Sequence, residues 1–226
     1  MASPTPFALR QVGAALRAFL ALTVILGLVY PLTMTGVAQV LFPDRADGSL
    51  VETSDGAVGS ELIGQSFTRP LTEAGEPVQD ADGLPVMVPD PAYFQSRPSA
   101  AGAGYDPLSS SASNYGPENE ELIALIEERR AAVAELDGVE TAQVSAHALL
   151  ASGSGLDPHI SPEYAAQQVE RVAAARGIDT RDVRRLVEEH AAGRALGFLG
   201  EPTVNVLLLN LALDELNGPA EAADSE

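Results

Sequence analysis

AFLALTVILGLVYPLTMTGVAQVLFP, residues Ala18–Pro43, contains no charged side chain and is apolar at nearly every position. Arg10 and Arg17 precede it and Asp44 follows. At ~1.5 Å per residue a helix of this length reaches ~39 Å, more than a ~30 Å hydrocarbon core. One helix is therefore expected to cross a membrane. Charge then suggests a direction. No Asp or Glu occurs before Asp44, so the first 43 residues hold two Arg, whereas the rest hold 11 Arg against 32 acids. Basic flanks stay on the cytoplasmic side. The reading is a cytoplasmic N-terminus at 1–17, a transmembrane helix at 18–43 and an extracytoplasmic domain at 44–217.

A rival reading starts from the same residues. Ala18–Tyr30 has the length of a signal-peptide core, and Gly36-Val37-Ala38 offers small residues for cleavage. The product would be a secreted or periplasmic hydrolase or binding domain. Against this, Val37, Val40, Leu41 and Phe42 carry the apolar stretch past that point. Pro31 does not forbid a membrane helix, because neighbours can satisfy the freed backbone groups. Gly27, Thr33, Thr35 and Gly36 are small enough to let a second helix approach, with Pro31 shaping the contact. That pattern suits a helix packed inside a complex.

Composition excludes several activities. The net charge of −19 argues against a nucleic-acid partner. Cysteine is absent, so there is no disulfide or thiolate metal site. Every basic residue is Arg. Without Lys neither a Walker-type phosphate loop nor a protein-kinase site can be built. His147, His159 and His190 are scattered and imply no metal ligand set.

The remainder reads as one mixed α+β domain. Ser49–Phe67 has short apolar groups broken by glycines and suggests short strands with tight turns. Residues 70–92 are rich in Pro, Gly and acids and read as a loop or insertion; Arg97–Asn114 also reads as loop. Glu118–Leu136 has helical spacing and an acidic first turn. Gln143–Leu150 is expected as a strand. Ser161-Pro162-Glu163 starts a helix that runs to Gly177, with Ser as cap and Pro in the first turn. A further helix is expected from Asp179 or Thr180, ending by Gly193. Val204–Leu213 is too short to span a membrane and reads as a core strand or helix start. The tail 218–226 is polar and expected to be disordered.

The densest polar motif is ASGSGLDPHISP, Ala151–Pro162. Ser154, Asp157 and His159 make a hydrolase triad only on paper, because side chains so close along one loop rarely converge. No catalytic residue is assigned. The Gly-Ser-Gly backbone can be read as an anion-binding turn or as a plain glycine turn before a helix cap.

Ordered motifs along the chain resemble the C subunit of the bacterial potassium-transporting ATPase, the KdpC family. They are Val29-Tyr30-Pro31-Leu32, Leu41-Phe42-Pro43, Gly59–Phe67, Tyr93–Ala100, Ser113-Asn114, Ala151–Pro162, Arg171-Val172-Ala173, Gly197–Pro202, Val204–Leu207 and Asn210–Asp214. Residues 70–92 look longer than the family's connection, and Leu150 stands where Thr is usual. The resemblance implies a non-catalytic accessory subunit in the cell membrane. Its implied partners are a potassium channel-like subunit and a P-type ATPase catalytic subunit, whose assembly and ATP affinity it assists. A loose similarity to an ABC-transporter signature implies that Ser152, Gly153, Ser154 and Gly155 contact ATP shared with the catalytic subunit, and the family resemblance adds Gln168, in the helix after the loop, as a nucleotide contact, no cofactor being held firmly. An outer domain, however, lies out of reach of cytoplasmic ATP.

Overall fold

The uncharged run belongs to a longer helical rod. In the computed structural model, which describes residues 7–54 and 56–217, helix α1 (Phe7–Val24) passes through a π-helical turn (Ile25–Val29) into α2 (Tyr30–Leu41). Arg10 and Arg17 are thus already helical. The π turn sits just ahead of Pro31, which has no N–H to donate to the preceding turn. Tyr30 N–H donates to Ile25 O, five residues back, so the ladder widens there without breaking. Leu9–Leu41 is long and apolar enough to cross a membrane, and none of that span is buried within the chain. At Phe42 the backbone leaves the helix. The single turn α3 (Pro43–Ala46) follows.

The chain divides into two units, one through Val58 and one from Gly59 onward. Strands β1 (Leu50–Thr53) and β2 (Gly56–Ser60) pair as a hairpin at the boundary, as the glycine-broken pattern of that stretch suggests. The tail at 218–226 lies outside the described residues, as do residues 1–6.

The second unit mixes helices with short strands, in agreement with the α+β expectation. Residues 70–92 are not a plain loop. Strand β3 (Thr68–Pro70) pairs with a later strand, β6 (Met87–Pro89), and between them β4 (Thr72–Glu73) pairs with β5 (Glu76–Pro77). The turn Ala74-Gly75 joins β4 to β5 with positive φ at both residues, 53° and 82°. That is the twist that two-residue hairpins need. Residues 97–114 contain no helix or strand, as expected.

Helix α4 (Glu120–Asp137) is capped by Asn119, whose side chain accepts from Glu121 N–H and Leu122 N–H, and ends at Gly138 in the left-handed region. The expected strand at Gln143–Leu150 is absent. Two 3₁₀ turns, Thr141–Gln143 and Ala146–Ala148, stand there. Side chains take the amides that a strand would use: Gln143 Oε1 accepts from Glu140 N–H, Ser145 Oγ from His147 N–H, and Gln167 Oε1 from Ser145 N–H.

Strand β7 (His159–Ile160) leads into α5 (Pro162–Arg176), capped by Ser161 and stopped by left-handed Gly177. Helix α6 (Thr180–Glu189) is capped by Asp179. Strands β8 (Ala191–Ala192) and β9 (Thr203–Asn205) complete an antiparallel sheet of order β7-β9-β8. The run Val204–Leu213 is both things it was expected to be, since β9 turns directly into α7 (Val206–Asn217). Phe94, Ile160, Val169, Val172, Val183, Val204, Leu209 and Leu213 form the core where α5, α6, α7 and the sheet meet.

Candidate functional site

The segment Pro91–Ser99 runs through the second unit without a strand partner. Phe94 is fully buried, so its backbone needs other hydrogen-bond partners. Side chains from α5 and α7 supply them. Asn210 Oδ1 accepts from Phe94 N–H at 2.9 Å, and its Nδ2 donates to Phe94 O at 3.0 Å. Gln168 repeats this at the next residue: Oε1 accepts from Gln95 N–H at 2.6 Å and Nε2 donates to Gln95 O at 3.1 Å. Arg171 donates to Pro91 O and Tyr93 O, and Arg176 to Ala92 O. Two amides and two guanidiniums thus replace a neighbouring strand.

The guanidiniums are themselves neutralised. Arg171 Nε lies 2.7 Å from Asp137 Oδ1, with the two side chains 5% and 1% exposed. Gln167 Nε2 donates to the other oxygen of Asp137. Arg176 pairs with Asp214 at 2.6 Å and lies over the Tyr93 ring, 4.5 Å from its centre. Tyr93 in turn stacks on Phe67.

The Ser152–Gly155 loop meets the far end of the same segment. Ser99 Oγ donates to Gly155 O at 2.6 Å and accepts from Ala101 N–H and Tyr105 N–H. Tyr105 donates its hydroxyl to Arg97 O, and burial pushes its pKa up to about 12, so it keeps that proton. Arg97 holds Leu150 O through two nitrogens and Asp157 at 3.3 Å. Asp157 also accepts from His159 N–H, and its Oδ1 lies 3.2 Å from His159 Nδ1. Burial raises the Asp157 carboxyl, but the His159 ring and amide, with Arg97, more than offset this and hold it below the usual range.

The sequence-predicted nucleotide residues are placed in two settings. Ser152 and Ser154 use their hydroxyls within the loop, accepting from Gly155 N–H and Leu156 N–H. Gly153 and Ser154 are exposed and Gly155 is buried. Gln168 is fully buried and bonded to Gln95 and to Arg171, whose Nη2 donates to its Oε1 at 2.6 Å. It serves the clamp, not the loop. Ser154 is bonded to Ser110 and Ser111, and Asp157 to Arg97 and His159; no triad is assembled. Among the described residues no group of His, Asp and Glu is placed to hold a metal. At the glycines expected to pack against another helix, a Cβ on Gly36 would meet nothing within 4 Å, and one on Gly27 only Thr23 of the preceding turn.

Residues missed by sequence reasoning are Asp137, Arg171, Arg176, Asn210 and Arg97. One signal existed: Gln168 and Arg171 fall on the apolar face of α5, beside Ala165, Val169 and Val172. Polar residues on a buried face need partners.

Asp157 makes stability depend on pH. Because its folded carboxyl titrates below its unfolded value, its contribution is complete above the unfolded value and is lost as pH falls through the folded one. Denaturation of Asp157→Asn should therefore differ from wild type at neutral pH, and the gap should close as pH falls below ~4. A gap that stayed constant into acid would contradict the assigned role of Asp157.

An exposed apolar helix joined to a small mixed domain, in which buried Asn210, Gln168 and Arg171 clamp the Pro91–Gln95 backbone, defines a membrane-anchored domain protein. The chain belongs to the KdpC family, described as the c chain of K+-transporting ATPase, whose profile matches residues 12–215. It is 54% identical to the potassium-transporting ATPase KdpC subunit of Kineococcus radiotolerans over 91% of this chain and 93% of that protein. To the subunit of the same name from Streptomyces coelicolor it is 46% identical, over 94% and 95%. The Beijerinckia indica subunit is 45% identical, over 91% and 94%. The match includes the apolar helix, which does not favour the secreted hydrolase. This is a membrane protein of potassium transport.

Proposed function

We propose that this chain is a non-catalytic accessory subunit of an ATP-driven potassium-uptake complex, helping a channel-like subunit and a P-type catalytic subunit to assemble. Family membership across residues 12–215 carries this reading. The helix adds support: its apolar faces are open along their length, and Gly27 and Gly36 offer close approach to another helix. The N-terminus is cytoplasmic and the acidic domain outside, on the strength of Arg10 and Arg17 against the acids from Asp44 onward.

The amides of Gly155 and Leu156 are already held by serine hydroxyls, and Gln168 lies inside the core. Gly153 and Ser154 are the exposed residues of the loop, where ATP shared with the catalytic subunit would meet it.

The test is recovery of the complex in mild detergent. Wild-type chain should bring both partner subunits with it and hydrolyse ATP only in their presence. Gly27→Leu with Gly36→Leu should lower recovery of the partners. Protease outside sealed cells should remove the domain and spare an N-terminal tag. Unchanged recovery from the double variant would leave the helix a passive anchor, and digestion of the tag would reverse the orientation.

A further inference from the structure

Residues 190–200 differ from the acidic chain around them. Glu188 and Glu189 precede them and Glu201 follows, but between these acids the sole full charge is Arg194. Residues 191–200 are exposed throughout. At the tip Leu196 is 83%, Phe198 69% and Leu199 50% exposed. Three large apolar side chains presented together on a short turn mark a contact surface.

The turn is built to enter apolar surroundings. Ala195 and Leu199 exchange N–H to O bonds of 2.9 Å in both directions, Gly197 N–H donates to Arg194 O, and Phe198 N–H to Ala195 O. Leu196, Gly197 and Gly200 take positive φ to close it. With the N–H groups of Ala195, Gly197, Phe198 and Leu199 paired inside the turn, fewer polar groups lose water when the tip enters apolar surroundings. Arg194 neutralises Glu201 at 2.6 Å, so the base of the turn brings no net negative charge. A neutral apolar tip can approach lipid phosphates from which an acidic surface would be repelled.

We propose that Leu196, Phe198 and Leu199 insert into the lipid interface, giving the second unit its own membrane contact. The inference rests on membrane anchorage by the Leu9–Leu41 helix. The linker 42–58 keeps the start of the second unit within ~60 Å of the helix end even when fully extended. A surface held that close needs little affinity of its own, because tethering raises its effective concentration. Interfacial contact of this kind grows with the apolar area inserted.

The chain contains no Trp, so Phe198→Trp introduces a single reporter. The full chain is reconstituted into vesicles of phosphatidylethanolamine and phosphatidylglycerol, with bromine placed shallow or deep on the acyl chains. Flotation with the vesicles reports the anchor independently. We expect the indole emission of Phe198→Trp to be blue-shifted and quenched by shallow bromine, while Leu108→Trp, at a position 95% exposed, stays water-like and unquenched. Floating vesicles in which the Phe198→Trp indole stays water-like and unquenched would overturn the inference while leaving the anchor intact. A blue shift that appeared only with the partner subunits, without bromine quenching, would assign the tip to a protein surface and overturn it also. Failure to float would remove the anchor and the inference with it.

Discussion

Arg171→Met should be among the most damaging single substitutions in the second unit. The guanidinium is almost fully buried and makes four contacts: Asp137, Gln168, Pro91 O and Tyr93 O. Removing it leaves the Asp137 carboxylate, 1% exposed, without its counter-charge, although Gln167 still donates to it. Breaking a buried pair from one side costs about 3–5 kcal/mol. Pro91 O also loses the Arg171 donor, and Tyr93 O keeps only the longer bond from Gln95 Nε2 at 3.3 Å, which adds to the loss. Chemical denaturation of the full chain in detergent measures this. Arg171→Lys keeps the charge but replaces a planar fork with a point donor, and should recover only part of the stability. Asp137→Leu combined with Arg171→Met should cost less than the sum of the single changes, because no charge is then left alone. An Arg171→Met loss below ~1 kcal/mol would be no larger than that of an average substitution, and would show that the Pro91–Gln95 segment is held by Phe94 packing instead.

The reach of sequence reading followed the range of the interactions. Ser161, Pro162, Gly177 and Asp179 mark ends of helices with groups within a few residues, and those boundaries were legible. The membrane helix was legible too, because the absence of charge over a long stretch is itself a local pattern. The helix itself begins before the uncharged run: Arg10 and Arg17 flank the apolar residues and are already within α1, since a helix tolerates Arg beyond the apolar span. Gln143–Leu150 has the apolar content of a strand, yet Gln167 reaches in from α5 to take Ser145 N–H. The β3–β6 pairing inside residues 68–89 hid behind a composition rich in turn formers. The clamp around Pro91–Gln95 was the least legible part. Arg171 and Pro91 are 80 positions apart, and Asn210 and Phe94 are 116 apart. No local pattern encodes a backbone whose hydrogen bonds come from distant side chains.

Gly155→Ala should expose the purpose of the Gly-Ser-Gly motif. Gly155 has φ of 70°, where a side chain costs about 1–2 kcal/mol. Its added Cβ would lie 2.7 Å from both Ala101 N and Ser111 O, which are backbone atoms. Neither can step aside without moving its loop, and overpacking of this kind costs a further ~1–3 kcal/mol. The bonds at risk are Ser99 Oγ to Gly155 O and Ser111 N–H to Ser154 O, which join the loop to its neighbours. Gly153 is the internal control: it is exposed, and a Cβ there meets nothing within 4 Å. Gly153→Ala should stay within ~0.5 kcal/mol of wild type. If the motif binds phosphate through its backbone, both substitutions should weaken nucleotide binding in the assembled complex, whatever their stability. If it is a packing turn, Gly153→Ala should change neither stability nor ATP affinity, and Gly155→Ala should lower thermal stability of the isolated chain. The buried side of Gly155 and the serine-capped amides beside it favour the second outcome. A drop in ATP affinity from Gly153→Ala at unchanged stability would return the loop to the nucleotide.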